Sequence, residues 1–371
     1  MKNFDMEKME NANKLLLQND NNINAKSIVF IYTPIKVGST TLVSSIRISA
    51  IEHFVVLHLH DEACLNVLTG IKDVTINDLI LYNSMLGKKI YVIDVYRSPI
   101  ERKISTFFEL IEFHFNNSEE EINNYPIEKI RNRFNNLFLH IANEDYTKDK
   151  YGISVPESFD FKKKYLYIQE NNIHYIKLRL KDSHLWRNIL SKLLGKEILI
   201  INDYESSQKK ISNLYSNFKN NYKIPNNLLE EIKSDINFNY YYDQEEREEY
   251  IKEWMQKKED DMIVFNRIEY EFYLKITKQN CKVFNIMLNH YIDIGCRCKV
   301  CDRKRKEILE RLKRGEIVNE KINHTELVLK NIENIKTNIQ KKILERKVLQ
   351  KKIELEKKGK RMDMRIGVKK V

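Results

Sequence analysis

The chain has 371 residues, of which 42% are hydrophobic and 10% aromatic, and this composition excludes a wholly disordered protein. Its length favours one large domain with an extension over two equal domains. The net charge of +11 is concentrated at the end of the chain, because residues 302–371 carry +12 and residues 1–300 carry −1. Bulk basicity is therefore not evidence for a nucleic-acid-binding main domain.

Residues 1–26 form a polar, Asn-rich N-terminal segment whose longest apolar run is three leucines. A run of that length is too short for a signal peptide or a membrane span. Three of the cysteines lie too close together for an extracellular disulfide framework: Cys296, Cys298 and Cys301. We therefore expect a cytoplasmic protein.

The first part of the chain alternates apolar, β-rich runs with helical patterns. Residues 27–33 predict a strand, and the loop "PIKVGSTT" and a helix follow it. A second strand is predicted at "HFVVLHLHD", and a third from Lys88 to Arg97 precedes a helix opened by proline. Strands that alternate with helices indicate a parallel sheet. We predict an α/β fold for residues 27–275, with a P-loop-like central parallel sheet flanked by helices.

The pattern is looser between residues 116 and 164, where we expect long loops of the kind that shape a substrate cleft. A fourth strand ending at Leu180, a helix ending at Gly195 and a fifth strand at "EILIIN" follow. Residues 204–275 are predicted to be mostly helical. The aromatic run from Tyr240 to Asp243 can either stack on sugar rings or pack at the edge of the core.

A loop rich in small and hydroxyl residues connects the first strand to its helix. It contains Lys36, Gly38, Ser39, Thr40 and Thr41. At such a position the free backbone N–H groups and the positive end of the helix dipole stabilise an anion. The residue order differs from the Walker A motif, so an ATP-type P-loop is not expected. Taken alone, the loop also fits an ordinary turn with a solvated lysine.

A second candidate phosphate site follows the third strand. Arg97 ends this strand, at the sheet edge where the first loop is expected. Ser105 lies on the next helix, three residues after Arg102 and on the same face. A planar guanidinium with a hydroxyl can clamp a phosphate. The alternative is an arginine that caps the sheet edge and a serine buried on its helix.

Two histidines lie at the end of the second strand, on the same predicted sheet edge. Strand alternation puts His58 and His60 on one face, and histidine is a common general base. We favour His58 as the base, with His60 as its substitute. A buried histidine satisfied by hydrogen bonds is the alternative for each. Weaker candidates are Glu52, His53 and Asp61.

The segment "TPIKVGSTTL", followed about sixty residues later by "YRSPIERKIS", resembles the paired signatures of sulfotransferases that use 3′-phosphoadenosine 5′-phosphosulfate (PAPS). The stretch "YIKLRLKDSHLWRNILSKLLGKEILIIND" resembles the later part of carbohydrate-type members, including 2-O-sulfotransferases and members associated with capsular polysaccharides. Together these segments cover about half the chain. Two positions depart from the family pattern, since Ile35 separates Pro34 from Lys36 and Ser98 replaces the usual aspartate.

The resemblance implies that the chain transfers a sulfuryl group from PAPS to a hydroxyl, and we expect that hydroxyl to belong to a glycan. It implies that Arg97 and Ser105 bind the 3′-phosphate and that a histidine is the base. The residues implied for the 5′-phosphosulfate are Lys36, which also acts in catalysis, Gly38, Ser39, Thr40 and Thr41. The alternatives are a nucleotide kinase or NTPase with Asp94 as a magnesium ligand, and a non-catalytic scaffold.

The end of the chain contains a Cys-rich segment, residues 276–302, and a basic amphipathic helical tail, residues 303–371. The segment predicts either free thiols or a structural zinc site. Its candidate ligands are Cys296, Cys298 and Cys301, with His290 or Cys281 as the fourth.

The basic tail has isoleucines at mixed spacings of three and four residues, and Lys342 and Arg346 interrupt a strict heptad. It lacks the interleaved aromatic residues that stack on RNA bases. We therefore expect no specific nucleic-acid partner. We expect peripheral contact with an anionic membrane or polyanion, and homo-oligomer formation through the tail.

Overall fold

The computed structural model describes residues 5–17, 26–137, 144–202, 211–259, 268, 271–272, 275, 296–320 and 322–367. These residues form two compact units. The first contains the described parts of Met1–Gly295 together with Ile308–Glu320, and the second contains Cys296–Glu307 and the described residues after 321. No helix in the described part of the chain is long and apolar enough to cross a lipid bilayer.

The first unit is built on a five-stranded sheet with the order β2-β1-β3-β5-β4. Its strands are β1 Ser27–Tyr32, β2 Phe54–Leu59, β3 Ile90–Tyr96, β4 Tyr165–Glu170 and β5 Ile173–Arg179. All neighbouring pairs are parallel except β4 and β5. Every residue of β2, β3 and β5 is buried, as is typical of parallel strands covered on both faces. The predicted α/β fold is confirmed, and the predicted parallel sheet is mostly parallel, with β4 as an antiparallel edge strand.

Helices surround this sheet and continue beyond it. They are α1 Met6–Leu17, α2 Ser39–Ala50, α3 Glu62–Thr69, α4 Ile76–Met85, α5 Pro99–Glu109, α6 Ile111–Phe115, α7 Glu119–Ile122, α8 Ile127–Leu137, α9 Tyr146–Asp149, α10 Trp186–Leu194, α11 Ser212–Asn221, α12 Asn226–Ser234, α13 Ile236–Tyr241, α14 Gln244–Met255, α15 Lys299–Lys313 and α16 His324–Gly367. A 3₁₀-helix, Leu180–Leu185, precedes α10, and the short segments Ile224–Pro225 and Lys258–Glu259 pair as β6 and β7.

Strand alternation divides the apolar side chains between the two faces of the sheet. Phe30 and Tyr32 of β1 pack on one face with residues of α1, α3 and α4. Val29 and Ile31 pack on the other face with residues of α2 and with Trp186 of α10. A third cluster of buried aromatic and aliphatic side chains joins α5 and α8 to helices α11 to α14.

The predicted fifth strand, "EILIIN", is wrong: residues 197–202 are extended but join no sheet. Hydroxyl groups on α2 bind its backbone instead. The amide N–H groups of Leu199 and Ile201 donate to Ser49 Oγ and Ser45 Oγ, each at 2.9 Å. The fifth strand of the sheet is β4, which lies just after the predicted loop region. That region also contains three short helices, α7 to α9.

The second unit contains the basic tail helix. The predicted boundary between residues 302 and 303 lies inside α15, which is continuous from Lys299 to Lys313. Helix α16 has 44 residues, and several of its large apolar side chains are exposed: Leu329, Ile332, Ile335, Ile339, Ile343 and Leu344.

Candidate functional site

The carboxyl ends of β1, β2, β3 and β5 meet at one edge of the sheet, because these four strands run parallel. Strand β1 lies between β2 and β3 in the sheet. The chain passes from β1 to β2 on one side and then crosses to β3 on the other side of β1. Ligands of open α/β sheets bind in the crevice at such a switch point. The loops after β1 and β3 are the two predicted phosphate-binding segments, and the structure brings them together here.

The loop after β1, residues 33–39, has an unusual backbone. Lys36 has a φ of +63° and Gly38 has a φ of +91°, and both values are left-handed. A left-handed conformation is uncommon for a residue with a side chain. A Cβ at Gly38 would lie 2.9 Å from Leu180 Cδ1 and 3.2 Å from the Trp186 ring. Glycine therefore allows the loop to pack closely against the segment that follows β5.

Two arginines of the second predicted segment hold this loop. Arg97 Nη1 donates to the carbonyl oxygen of Lys36 at 2.8 Å, and Arg102 Nε donates to that of Ile35 at 3.3 Å. Lys36 Nζ forms an ion pair with Glu109 Oε2 at 2.9 Å. The segments that contain Lys36 and Arg97 are thus joined by a hydrogen bond, and Glu109 connects the loop to α5 by an ion pair. The sequence pattern predicted that these segments meet but not these hydrogen bonds.

The hydroxyl residues near this edge differ in exposure. Ser39 and Ser105 are buried, whereas Thr40 and Thr41 are half-buried. Helix α2 begins at Ser39, and its first turn contains no acidic residue. The first turn of a helix has N–H groups without intrahelical partners, and they favour a negative charge. This end of α2 is therefore suited to an anion.

His58 and His60 have different environments, although their ring centroids lie 4.6 Å apart. His58 is buried within β2, with 1% of its surface exposed. His60 is half-buried just after the strand, and its Nδ1 lies 2.8 Å from the carbonyl oxygen of Thr33. A carbonyl only accepts, so Nδ1 carries the proton and Nε2 has the lone pair in the neutral ring. Burial, assisted by the charges of Lys36 and Arg102, lowers the pKa of His60.

The weaker base candidates lie elsewhere. Glu52 and His53 are exposed on the turn that precedes β2, at the opposite end of that strand from His60. Asp61 caps α3, because its Oδ1 accepts from the N–H of Cys64 at 2.7 Å. His60, by contrast, hydrogen-bonds to the loop 33–39 through the carbonyl oxygen of Thr33.

A buried ionic network beneath the site was not predicted from the sequence. Lys177 Nζ lies 2.6 Å from Asp94 Oδ2 and 2.8 Å from Asp145 Oδ1. The other oxygen of Asp94 accepts from Thr33 Oγ1 at 2.7 Å, and that of Asp145 accepts from the Tyr241 hydroxyl at 2.6 Å. Asp94 is fully buried. Its carboxylate thus anchors the first residue of the loop rather than facing a ligand.

The aromatic run near residue 240 belongs mainly to the core. Tyr241 and Tyr242 are buried and pack against Tyr96, with ring centroids 4.4 Å and 6.2 Å from it. The suggestion that these two rings stack on sugars is therefore wrong. Tyr240 is half-buried and lies under the ammonium group of Lys148, 3.7 Å from its ring centroid.

A cleft of about 450 Å³ opens beside the first turn of α2. Its volume is within the range of about 300–1,000 Å³ that is typical of small-molecule sites. It is lined by Thr41, Leu180, Ser183, His184, Trp186, Arg187, Leu199, Ile200, Asn202, Leu312, Gly315 and Glu316.

A separate cluster lies in the second unit, where Cys296, Cys298 and Cys301 converge with His324. His324 was not predicted as a ligand, and the predicted fourth ligands His290 and Cys281 lie outside the described residues. The three cysteines and one histidine can hold a metal ion.

Comparison with known proteins adds no relative, because no protein-family model, curated protein or solved structure matches this chain.

Proposed function

We propose that this chain is a PAPS-dependent sulfotransferase with a P-loop-like donor site. The observation that carries the proposal is the hydrogen-bonded assembly at the carboxyl edge of the sheet. Arg97 binds the carbonyl of Lys36, and His60 binds the carbonyl of Thr33, each at 2.8 Å. A lysine, an arginine, a helix N-terminus and a neutral histidine are thus fixed around one loop.

In this proposal the 5′-phosphosulfate lies at the start of α2. Lys36 and the hydroxyl groups of Ser39, Thr40 and Thr41 bind it, and Gly38 permits close approach of the backbone. Arg97 and Ser105 bind the 3′-phosphate, since Arg97 has guanidinium N–H groups beyond the one that holds Lys36. The donor competes with Glu109 for the ammonium group of Lys36.

The cleft beside Thr41 supports a nucleotide donor. Its volume of about 450 Å³ is large enough for a nucleoside. Arg187 in its wall is exposed and offers a planar cation, which favours contact with a base. We assign the nucleoside to this cleft.

The donor supplies an activated sulfuryl group, and the chain provides alignment, charge and a base. The bond between sulfur and the acceptor oxygen forms as the bond between sulfur and the phosphate oxygen breaks. His60 Nε2 takes the proton of the acceptor hydroxyl, and Lys36 neutralises the charge that develops on the leaving oxygen. We propose a glycan hydroxyl as the acceptor.

The kinase or NTPase alternative has less support. It requires Asp94 as a magnesium ligand, yet both oxygens of this buried carboxylate bind protein donors, namely Thr33 Oγ1, Thr147 Oγ1 and Lys177 Nζ. The loop also lacks the Walker order of residues.

Isothermal titration of the full chain tests the donor site. We expect adenosine 3′,5′-bisphosphate to bind without added metal and more tightly than ATP does. Loss of a charged hydrogen bond costs about 1.5–3 kcal/mol, so Arg97→Ala should weaken binding of the bisphosphate by about tenfold to 150-fold. Arg346→Ala, which removes an exposed arginine from α16, controls for the change in net charge.

The proposal is contradicted if the bisphosphate does not bind, or if ATP with magnesium binds more tightly than the bisphosphate. An unchanged affinity in Arg97→Ala would refute the assignment of the 3′-phosphate. A transfer assay with PAPS that carries radiolabelled sulfate, run over a set of polysaccharides, then tests the acceptor class.

A further inference from the structure

Four ligand groups converge in the second unit, and none of them belongs to the proposed donor site. One ligand atom from each of Cys296, Cys298, Cys301 and His324 lies within 4.8 Å of all the others. His324 Nδ1 is 3.4 Å from Cys301 Sγ and 3.6 Å from Cys298 Sγ. The cysteines precede or begin α15, and His324 begins α16. Two chain segments separated by a connecting stretch thus meet through side chains that bind metals.

The distances fit the coordination shell of a single ion. In a tetrahedron with Zn–S bonds of about 2.3 Å and Zn–N bonds of about 2.0–2.1 Å, a sulfur and a nitrogen ligand are about 3.6 Å apart. The two distances from His324 Nδ1 to sulfur, 3.4 and 3.6 Å, are close to this value. Two of the six distances between ligand atoms therefore match a tetrahedral shell, and all six are 4.8 Å or less.

Neighbouring groups hold the ligands in place. The backbone N–H of Cys298 donates to Cys296 Sγ at 3.5 Å, and such donors stabilise a metal-bound thiolate. Arg305 Nη2 donates to the carbonyl oxygen of Cys296 at 2.8 Å, and Arg305 is 7% exposed. Arg305 also pairs with Asp302. A nearly buried arginine thus ties the first ligand to helix α15.

We propose that Cys296, Cys298, Cys301 and His324 bind one Zn²⁺ ion in a closed structural site. Three thiolates and one imidazole are one of the ligand sets of structural zinc sites, and soft thiolate ligands in a tetrahedron are typical of zinc. Four protein ligands complete the tetrahedron and leave no position for a substrate, so the ion has a structural role. It fastens the start of α15 to the start of α16 and fixes where the basic helix begins.

The test uses the full chain, purified without a metal-affinity tag and analysed by elemental mass spectrometry. We expect one zinc per chain. Cys301→Ser and His324→Ala should each lose zinc, and competition with a chromophoric chelator should show affinity reduced by more than about 100-fold, since loss even of outer hydrogen bonds costs 10–100-fold. Cys64→Ala and His53→Ala remove a cysteine and a histidine outside the cluster and should retain zinc.

His324→Cys provides a variant that keeps four ligands, and we expect it to retain zinc, because Cys₄ sites are also tetrahedral. Substitution with Co²⁺ should give the absorption of a tetrahedral thiolate site in the wild type, with loss of this absorption in Cys298→Ser. A wild-type chain with no bound metal after incubation with zinc, or with iron as its stable metal, overturns the proposal. Retention of zinc by both Cys301→Ser and His324→Ala overturns the ligand assignment.

Discussion

His58 and His60 are two residues apart at the end of β2, but their side chains differ in exposure and in hydrogen bonding. His58 lies inside β2 and is 1% exposed, so an acceptor hydroxyl cannot reach it without rearrangement of the sheet. His60 follows the strand, and the carbonyl of Thr33 fixes its tautomer. The sequence analysis placed both on one face and favoured His58, because alternation specifies the direction of a side chain and not its depth. We therefore transfer the role of base to His60.

His60→Ala should leave the affinity for the bisphosphate intact and lower kcat by about 10²–10⁴-fold, as expected for loss of a general base. The pH dependence gives a second readout. The neutral ring is the active form, so kcat/KM rises with pH and levels off above the pKa of His60. Burial lowers this pKa, and we expect the acid limb below the ordinary histidine value of about 6.5.

The carboxylate of Asp61 opposes this shift by raising the pKa of His60. Asp61→Asn keeps an oxygen that can cap α3 but removes the charge, so the acid limb should move to lower pH. Asp73→Asn, which neutralises a carboxylate that is 86% exposed, should leave the limb in place. A profile that is unchanged in His60→Ala, or a loss of turnover in His58→Ala alone, would return the role of base to His58.

Lys177 lies between two carboxylates, and all three side chains have no exposed surface. Removal of one partner from a buried ion pair costs about 3–5 kcal/mol, so Lys177→Met should lower the free energy of unfolding at pH 7 by that amount. Lys233→Met, which breaks a largely exposed pair with Glu230, should cost less than about 1 kcal/mol. Urea denaturation measures both changes.

The sign of the pH effect follows from Asp145. Burial raises its pKa, but Lys177, together with the Tyr241 hydroxyl and the charge of Lys148, more than offsets this effect, and the pKa is lowered in the folded chain. Lys177→Met removes the largest of the lowering effects and leaves that of burial, so the pKa of Asp145 rises and the folded state of the variant gains protons as the pH falls. The deficit in stability should therefore be smaller at pH 5 than at pH 7. An equal deficit at both values would contradict this account of the network.

The elements differ in how far the sequence could predict them. Strands β1, β2 and β3 are buried and appear as largely apolar runs. Strand β5 is equally buried, although its sequence includes Lys177 and Arg179. Strand β4 was missed, because it is an antiparallel edge strand in which only Tyr165 and Leu166 are buried. For residues 197–202 the error was the opposite, because a strand was predicted where the structure has none. Their apolar pattern indicates burial, but a buried segment can also form its backbone hydrogen bonds with side chains.

The candidate site shows a similar division. Local patterns predicted the loop 33–39 and the segment after β3, since a turn with glycine and hydroxyl residues and a proline-opened helix are short-range signals. His324 was missed because sequence spacing alone gave no reason to connect it with cysteines more than twenty residues earlier. The contact depends on where α16 begins, and that is a tertiary property.

Helix α2 secures the segment 197–202 through two serines, and this arrangement can be tested. Ser45→Ala removes the acceptor for the N–H of Ile201, and an unsatisfied buried donor costs about 1–3 kcal/mol. Ser49→Ala should have a similar effect through Leu199. Ser216→Ala, an exposed change on α11, controls for the higher helix propensity of alanine. Thermal and urea denaturation that show all three variants equally stable would contradict this role of the hydroxyls.

At the scale of the whole molecule, charge and chemistry are divided along the chain. Residues 302–371 carry a charge of +12, whereas the preceding residues are close to neutral. For the proposed donor site we therefore expect binding to depend on a few placed cations and not on a general positive field, whose effect would decrease steeply with added salt. Helix α16 has lysines and exposed isoleucines. The expected contacts of the tail, with polyanions or with a second copy of the chain, depend on these residues.

The residues of the donor site all belong to the first unit, and the four metal ligands all belong to the second. Because the two sites share no residue, we expect chelation of zinc to leave the affinity for adenosine 3′,5′-bisphosphate unchanged. The same treatment should increase hydrogen exchange in residues 296–307 and at the start of α16, where the ligands no longer hold the helix ends. Arg97→Ala should do the reverse, with weaker binding of the bisphosphate and one zinc retained per chain. If chelation also abolishes binding of the bisphosphate, the metal contributes to the donor site through coupling between the units, and the assignment of a purely local structural role to the ion is wrong.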